Sequence, residues 1–169
     1  MQTWDAITSR RNVRSFADRP IPPADLDRIL EAGRRSPSSQ NWQPWDFVLV
    51  TDREMLGELA KVWRGAGHVA DSVATIVVVG PAADNPFRRA AFDLGQATMQ
   101  MMIAAADLGI GSSHAGVGDL PRLHELLGIP DDRDWALLIS LGYPAGRPLT
   151  PIRNPDRRPL ADVVHRGHW

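Results

Sequence analysis

The sequence predicts one α+β domain, and three observations carry that prediction. Three apolar runs of strand length, DFVLVT, ATIVVVG and DWALLISLGY, are rich in β-branched and aliphatic residues. Between and around them lie segments whose apolar residues recur at helical spacing. Neither an internal repeat nor a linker divides the 169 residues, a length that suits a single core.

Taken in order, Thr3 to Ser9 reads as a short helix with Trp4 and Ile7 at i, i+3, running into SRRNVRSF. PIPPADLDRILEAGRR has prolines at its entry and Leu26, Ile29, Leu30 and Gly33 at helical spacing. SPSSQNWQPW then reads as a loop, too polar for core and too aromatic for an ordinary connection. DFVLVT is the first strand, and a helix follows over Arg53 to Val62. ATIVVVG is a strand stopped by Gly80-Pro81. Phe87 to Leu108 is the longest helical pattern, apolar on several faces and so buried against more than one layer. Its Met99, Met101 and Met102 read as packing residues of a dimer core. GIGSSHAGVG reads as a glycine-rich link into the helix DLPRLHELLG, and DWALLISLGY is the third strand. The tail keeps an apolar cluster, Leu160, Val163, Val164 and Trp169, which suits an arm packing on a partner subunit.

Composition excludes several function classes. A formal net charge of −1 gives no global field for nucleic acid or an anionic membrane surface. No apolar run reaches the ~18 residues of a membrane span, and MQTWDAITSRR lacks a signal-peptide apolar core. The absence of cysteine removes disulfides, thiolate nucleophiles and iron–sulfur clusters, and fits a reducing, cytoplasmic setting. Lys61 is the one lysine, so an anion site here must be built from arginine.

Arg10, Arg11 and Arg14 occur within five residues, with Asn12 between them. Guanidinium forks beside an amide suit a phosphate, although a solvated charge cluster at a helix end would read the same way. Arg157-Arg158 forms a second basic pair near the other end of the chain. No GK[ST] is present, and Gly109-Ile110-Gly111 lacks a third glycine and follows a helix, so neither a P-loop nor a dinucleotide fingerprint is predicted. There is no GxSxG and no HExxH. His165 and His168 are spaced i, i+3 but lack a third ligand, so no metal site is predicted.

Together SRRNVRSF, SPSSQNWQPWDFVLV, FDLGQATMQMMIAAADLGIG, the LGYP strand end and the tail RRPLADVVHRGHW resemble the FMN-dependent nitroreductases nearly end to end. Asn12 stands where serine is usual in the opening motif. The resemblance implies an α+β sandwich, its antiparallel-dominated central sheet flanked by helices, in an intertwined homodimer with FMN at the subunit interface. Residues 1–169 would form one FMN-binding domain whose arm, about 150–169, packs on the partner. Arg10, Arg11 and Asn12 would hold the phosphate and ribityl chain, and Arg14 would approach the pyrimidine edge of the flavin. Arg157 or Arg158 would close over the phosphate. Pro37, Ser38, Ser39 and Asn41 would reach the flavin from the other subunit. Backbone N–H groups of Ala115 and Gly116 would face its N5/O4 edge. His68 is a further candidate at the pyrimidine end, and Trp45 reads as a packing anchor, with the role of Trp42 open.

The function so implied is two-electron reduction of nitroaromatics, quinones or similar electrophiles by ping-pong exchange, with NADH or NADPH as donor. The flavin carries the chemistry, so no catalytic side chain is named. The alternatives are a specialised relative (dehalogenation, dehydrogenation or flavin breakdown) and a non-catalytic flavin-binding protein.

Overall fold

A computed structural model of the chain describes residues 1–81 and 90–169. Its centre is a four-stranded sheet of β1 (Asp46–Val50), β2 (Ala74–Gly80), β3 (Gly111–Gly116) and β4 (Trp135–Gly142). The order is β1-β2-β4-β3, and each neighbouring pair is antiparallel. The helices are α1 (Thr3–Ser9), α2 (Pro23–Arg34), α3 (Arg53–Leu59), α4 (Ala90–Asp107) and α5 (Leu120–Leu127).

Strand alternation divides the core into two layers. Every residue of β2 is buried. Ile76 and Val78 pack with Leu94, Ala97, Met101 and Met102 of α4 and with Ile29 of α2. Val77 and Val79 point the other way, into the cluster of Leu56, Leu59, Val69 and Leu123 from α3, α5 and the turn between. A strand apolar on both faces reads as a continuous run, and ATIVVVG is one.

α4 is the spine of the first layer. Met101 and Met102 are fully buried inside this chain's own core, which corrects their reading as dimer-core residues; Met99 remains exposed. α2 crosses α4 closely because Gly33 leaves room, since a side chain there would meet Met101 and Phe47. The expected start of the long helix at Phe87 lies outside the described residues.

Two boundaries differ from expectation. α3 ends at Leu59 rather than Val62, because the chain tightens into i→i+3 bonds from Lys61 N to Glu58 O and from Val62 N to Leu59 O. The Val62 carbonyl is then taken by the N–H groups of Gly118 and Asp119. GIGSSHAGVG is also more than a link, since Gly111–Gly116 is β3, paired with β4 at six positions. Glycine and serine have little strand preference of their own, so this strand is imposed by β4 and by burial.

Gly111 sets how closely the residues after α1 approach β3. A Cβ there would stand 2.7–2.9 Å from three side-chain atoms of Val13, a branched residue with nowhere to move. We expect Gly111→Ala to cost about 1–3 kcal/mol by overpacking. Gly57→Ala, in an α3 position with nothing within 4 Å, should instead gain about 0.5–1 kcal/mol. Urea unfolding of the two variants checks both signs.

Candidate functional site

The chain leaves α1 and turns into an extended strap along the open edge of β3. Val13 N donates to the Ser112 carbonyl at 2.9 Å, and Asn12 bridges Ser112 in parallel. The strap continues past the end of β4, where Ala17 N donates to Tyr143 O and Ala145 N to Ser15 O. Val13 is buried beneath it, while Arg10 and Arg11 are part-buried and Asn12 and Arg14 exposed. The arginine cluster is therefore held at fixed register by backbone hydrogen bonds.

Its electrostatics would suit a bound anion. Arg11 Nη2 donates to the Arg147 carbonyl at 2.6 Å, but its Nη1 is buried without a partner. Burial, with the nearby Arg147 charge, pulls the Arg11 pKa below its ordinary value. Arg10 Nη1 donates to Asn12 Oδ1 at 3.3 Å, holding the amide beside the Arg10 guanidinium. A buried guanidinium N–H left without an acceptor is costly, and a bound anion would supply one.

Ala115 and Gly116 lie farther along the same edge strand. Because the Ser112 carbonyl faces the strap, alternation turns Gly116 N–H to the open edge as well and Ala115 N–H towards β4. Of the two backbone donors expected here, Gly116 is the one facing outward. Trp63 packs over Gly118, just beyond the end of β3, and beside Gly65. His68 follows on the turn Gly67–Val69. Its Nε2 is buried without a partner. Burial first, then the charges of Arg14 and His114, outweigh a hydrogen bond to the Gly65 backbone and hold its pKa below the ordinary histidine value. His68, Arg14 and His114 thus converge from three separate elements.

Pro37, Ser38, Ser39 and Asn41 lie elsewhere. Their loop enters β1 at Asp46, which pairs with Val79, whereas Ser112 pairs with Leu141 at the other end of the sheet. β1 and β3 are opposite edges. The loop and the strap therefore occupy diagonally opposite corners, on the order of 20 Å apart by strand spacing and rise. Within the loop, Gln40, Asn41 and Gln43 all have left-handed φ, at 53°, 58° and 53°. Gln43 N donates to Ser38 Oγ, and Ser39 N donates to Asp93 Oδ2 on α4. Trp45 is buried and stacks on Phe47, as expected of an anchor; Trp42 is half-buried.

Arg157 and Arg158 occupy the tail, where they bond the Asp156 and Asp162 carbonyls. The tail touches the body through Ile152 N and the Thr8 carbonyl, and from Arg153 onward every residue is exposed. One chain thus brings Arg10, Arg11, Asn12 and Arg14 alongside the strand carrying Ala115 and Gly116. It holds Pro37, Ser38, Ser39 and Asn41 at the far corner of the sheet and Arg157 and Arg158 in the exposed tail. Asp93 was missed by sequence reasoning, because one carboxylate within an apolar helical run carries no pattern.

The depressed His68 pKa fixes the sign of one pH effect. The unfolded chain takes up a proton near pH 6.5 and the native chain only lower, so stability falls as pH drops below about 6.5. His68→Gln should flatten the melting-temperature loss between about pH 7 and pH 5, measured calorimetrically.

A family model described as the nitroreductase family matches residues 7–81 and 63–143. A relative from Archaeoglobus fulgidus, provisionally named NADH dehydrogenase/NAD(P)H nitroreductase, is 36% identical over 171 residues, 96% of each chain. A similarly named crystal structure from Parabacteroides distasonis superposes with a TM-score of 0.88 at 27% identity, covering 100% of this chain and 99% of that one. The NADPH:FMN oxidoreductase of Vibrio harveyi, solved with NAD+, gives 0.81 at 26% identity over 97% and 76% of the two chains. No described helix is long and apolar enough to cross a membrane. With a family model spanning most of its length and a 36% identical relative covering nearly all of it, this chain belongs to the nitroreductase family.

Proposed function

We propose that the protein is an NAD(P)H-dependent FMN oxidoreductase, working as a homodimer on nitroaromatics, quinones or similar electrophiles. The observation that carries this reading is the strap, which presents Arg10, Arg11 and Asn12 at fixed register with a buried, unpartnered guanidinium N–H. That donor set fits a phosphate monoester. When bound, FMN supplies two-electron transfer between a reduced nicotinamide and an acceptor that occupy its exposed face in turn.

The chain's own residues bind, orient and bias that group. Arg10 and Arg11 neutralise the phosphate, and Asn12 adds a donor beside them. Arg14 stands farther along the strap, where it would favour negative charge on the pyrimidine edge of a bound flavin. Gly116 offers its outward N–H at the open edge of β3. Protons come from solvent, so no side chain is assigned as general acid.

Homodimer formation is supported by two features. Trp4 and Phe92 are 72% and 71% exposed, and Ile7 and Met99 also lie open on α1 and α4. Large apolar side chains left this exposed suit burial against another surface. The loop at Pro37–Asn41 is in the wrong corner to serve its own strap, and a second copy can bring it there. The arm from about residue 150 packs on that copy, carrying Arg157 and Arg158 to the partner's phosphate. A chain without cysteine suits the reducing cytoplasm.

The purified protein should be yellow and release FMN on heating, and NADH or NADPH should bleach it anaerobically. A yellow protein that neither donor bleaches would be a flavin-binding protein rather than a reductase. Arg10→Ala should weaken FMN binding by about 1.5–3 kcal/mol, read by quenching of flavin fluorescence. Unchanged affinity would remove Arg10 from the phosphate site.

A further inference from the structure

The loop from Ser38 to Gln43 is held in a conformation that its two glutamines do not favour. Gln40, Asn41 and Gln43 lie in the left-handed region, where a Cβ crowds the following carbonyl. Three such residues within four positions persist only where the surroundings dictate them. Some of the fixing is local. Asn41 N bonds Ser38 O, Trp42 N bonds Ser39 O, and Gln43 N bonds Ser38 Oγ. Pro44 and Trp45, both buried, hold the exit into β1.

The entry is held from another element. Asp93, in the first turn of α4, is 2% exposed among apolar neighbours. A carboxylate so buried is costly unless its oxygens are hydrogen-bonded. Oδ2 accepts from Ser39 N at 3.0 Å, and Oδ1 accepts from Gln96 Nε2 at 3.3 Å. The bond to Ser39 crosses 54 residues of sequence and falls where the left-handed run begins. An acidic residue here also suits the helix N-terminal turn, but that role would be met equally well on the solvent face.

We infer that Asp93 is a positioning residue for the flavin site: by holding Ser39 N–H it sets the shape of the 38–43 loop, and so the lip that Pro37, Ser38, Ser39 and Asn41 offer to the partner's flavin. This rests on the proposed function, because the loop matters to catalysis only if it meets FMN. It assigns a buried carboxylate on α4 to a cofactor that it does not touch.

The test compares Asp93→Ala with Asp93→Asn, which keeps an acceptor oxygen of the same shape. FMN affinity is measured well below the unfolding temperature, alongside amide hydrogen exchange at Ser39 in the apoprotein. Asp93→Ala is expected to raise the FMN dissociation constant at least tenfold and to speed exchange at Ser39, and Asp93→Asn to recover most of both. A lower melting temperature with unchanged affinity and unchanged Ser39 exchange would reduce Asp93 to a structural residue and overturn the inference. Should Asp93→Ala not fold, Ser39→Pro and Ser39→Ala read the same bond from the loop side. Proline also deletes the N–H, so Ser39→Pro must bind FMN more weakly than Ser39→Ala, and equal affinities would overturn the inference. Arg10→Ala separates the two levels. If it weakens FMN while the Asp93 variants do not, the Asp93 assignment falls alone. If wild-type protein takes up no FMN, the functional reading falls and this assignment with it.

Discussion

The contact on which the rest of the site depends is a backbone hydrogen bond, from Val13 N to the carbonyl of Ser112. β3 is an edge strand, and its outward carbonyls need partners or water. By pairing with that edge at Ser112, the strap fixes the backbone that carries Arg10, Arg11, Asn12 and Arg14. Gly111 makes the approach possible, because the packing of Val13 against β3 leaves no space for a Cβ. The placing of the arginine cluster thus depends on sheet geometry, because the strap's backbone is fixed to β3.

A second feature is the distribution of unspent polar capacity. Arg11 Nη1 and His68 Nε2 are buried without partners, and Asp93 is buried with its oxygens committed to the loop and to Gln96. Buried polar groups ordinarily find partners, and the exceptions ask for an explanation. Arg11 and His68 lie on the β3 side of the molecule, beside the strap or its neighbours. Asp93 lies at the opposite corner and holds the loop whose backbone is most strained. The double-sided core around β2 supplies the rigidity that tolerates such groups.

Much of this was legible in the sequence, for physical reasons that differ by element. ATIVVVG and DWALLISLGY announced themselves because strands buried on a central position must be continuously apolar. The arginine cluster and SPSSQNWQPW stood out because their residue mixtures suit neither core nor solvated surface. β3 was not legible as a strand. Its Gly-Ser-Ser-His run has little intrinsic preference, and only pairing with β4 makes it extended. Met101 and Met102 were misplaced because helical periodicity tells which residues are apolar, not whose core they fill. Asp93 was silent because a single carboxylate carries no pattern; its meaning is a hydrogen bond spanning 54 residues. The diagonal separation of the two groups of candidates was likewise invisible, since strand order is not written in any one segment.

We propose that the strap and the loop, at opposite corners of one sheet, complete each other only across two chains. The most direct test is complementation in a mixed dimer. An Arg10→Ala/Arg11→Ala chain and a Ser39→Pro/Asn41→Ala chain, each defective in FMN binding alone, are co-expressed with different affinity tags and the doubly tagged dimer is isolated. In that dimer one site combines an intact strap with an intact loop, and the other combines both defects. The account predicts one FMN bound per dimer with wild-type affinity. A mixed dimer that binds FMN no better than either parent would place both halves of the site within a single chain and contradict it.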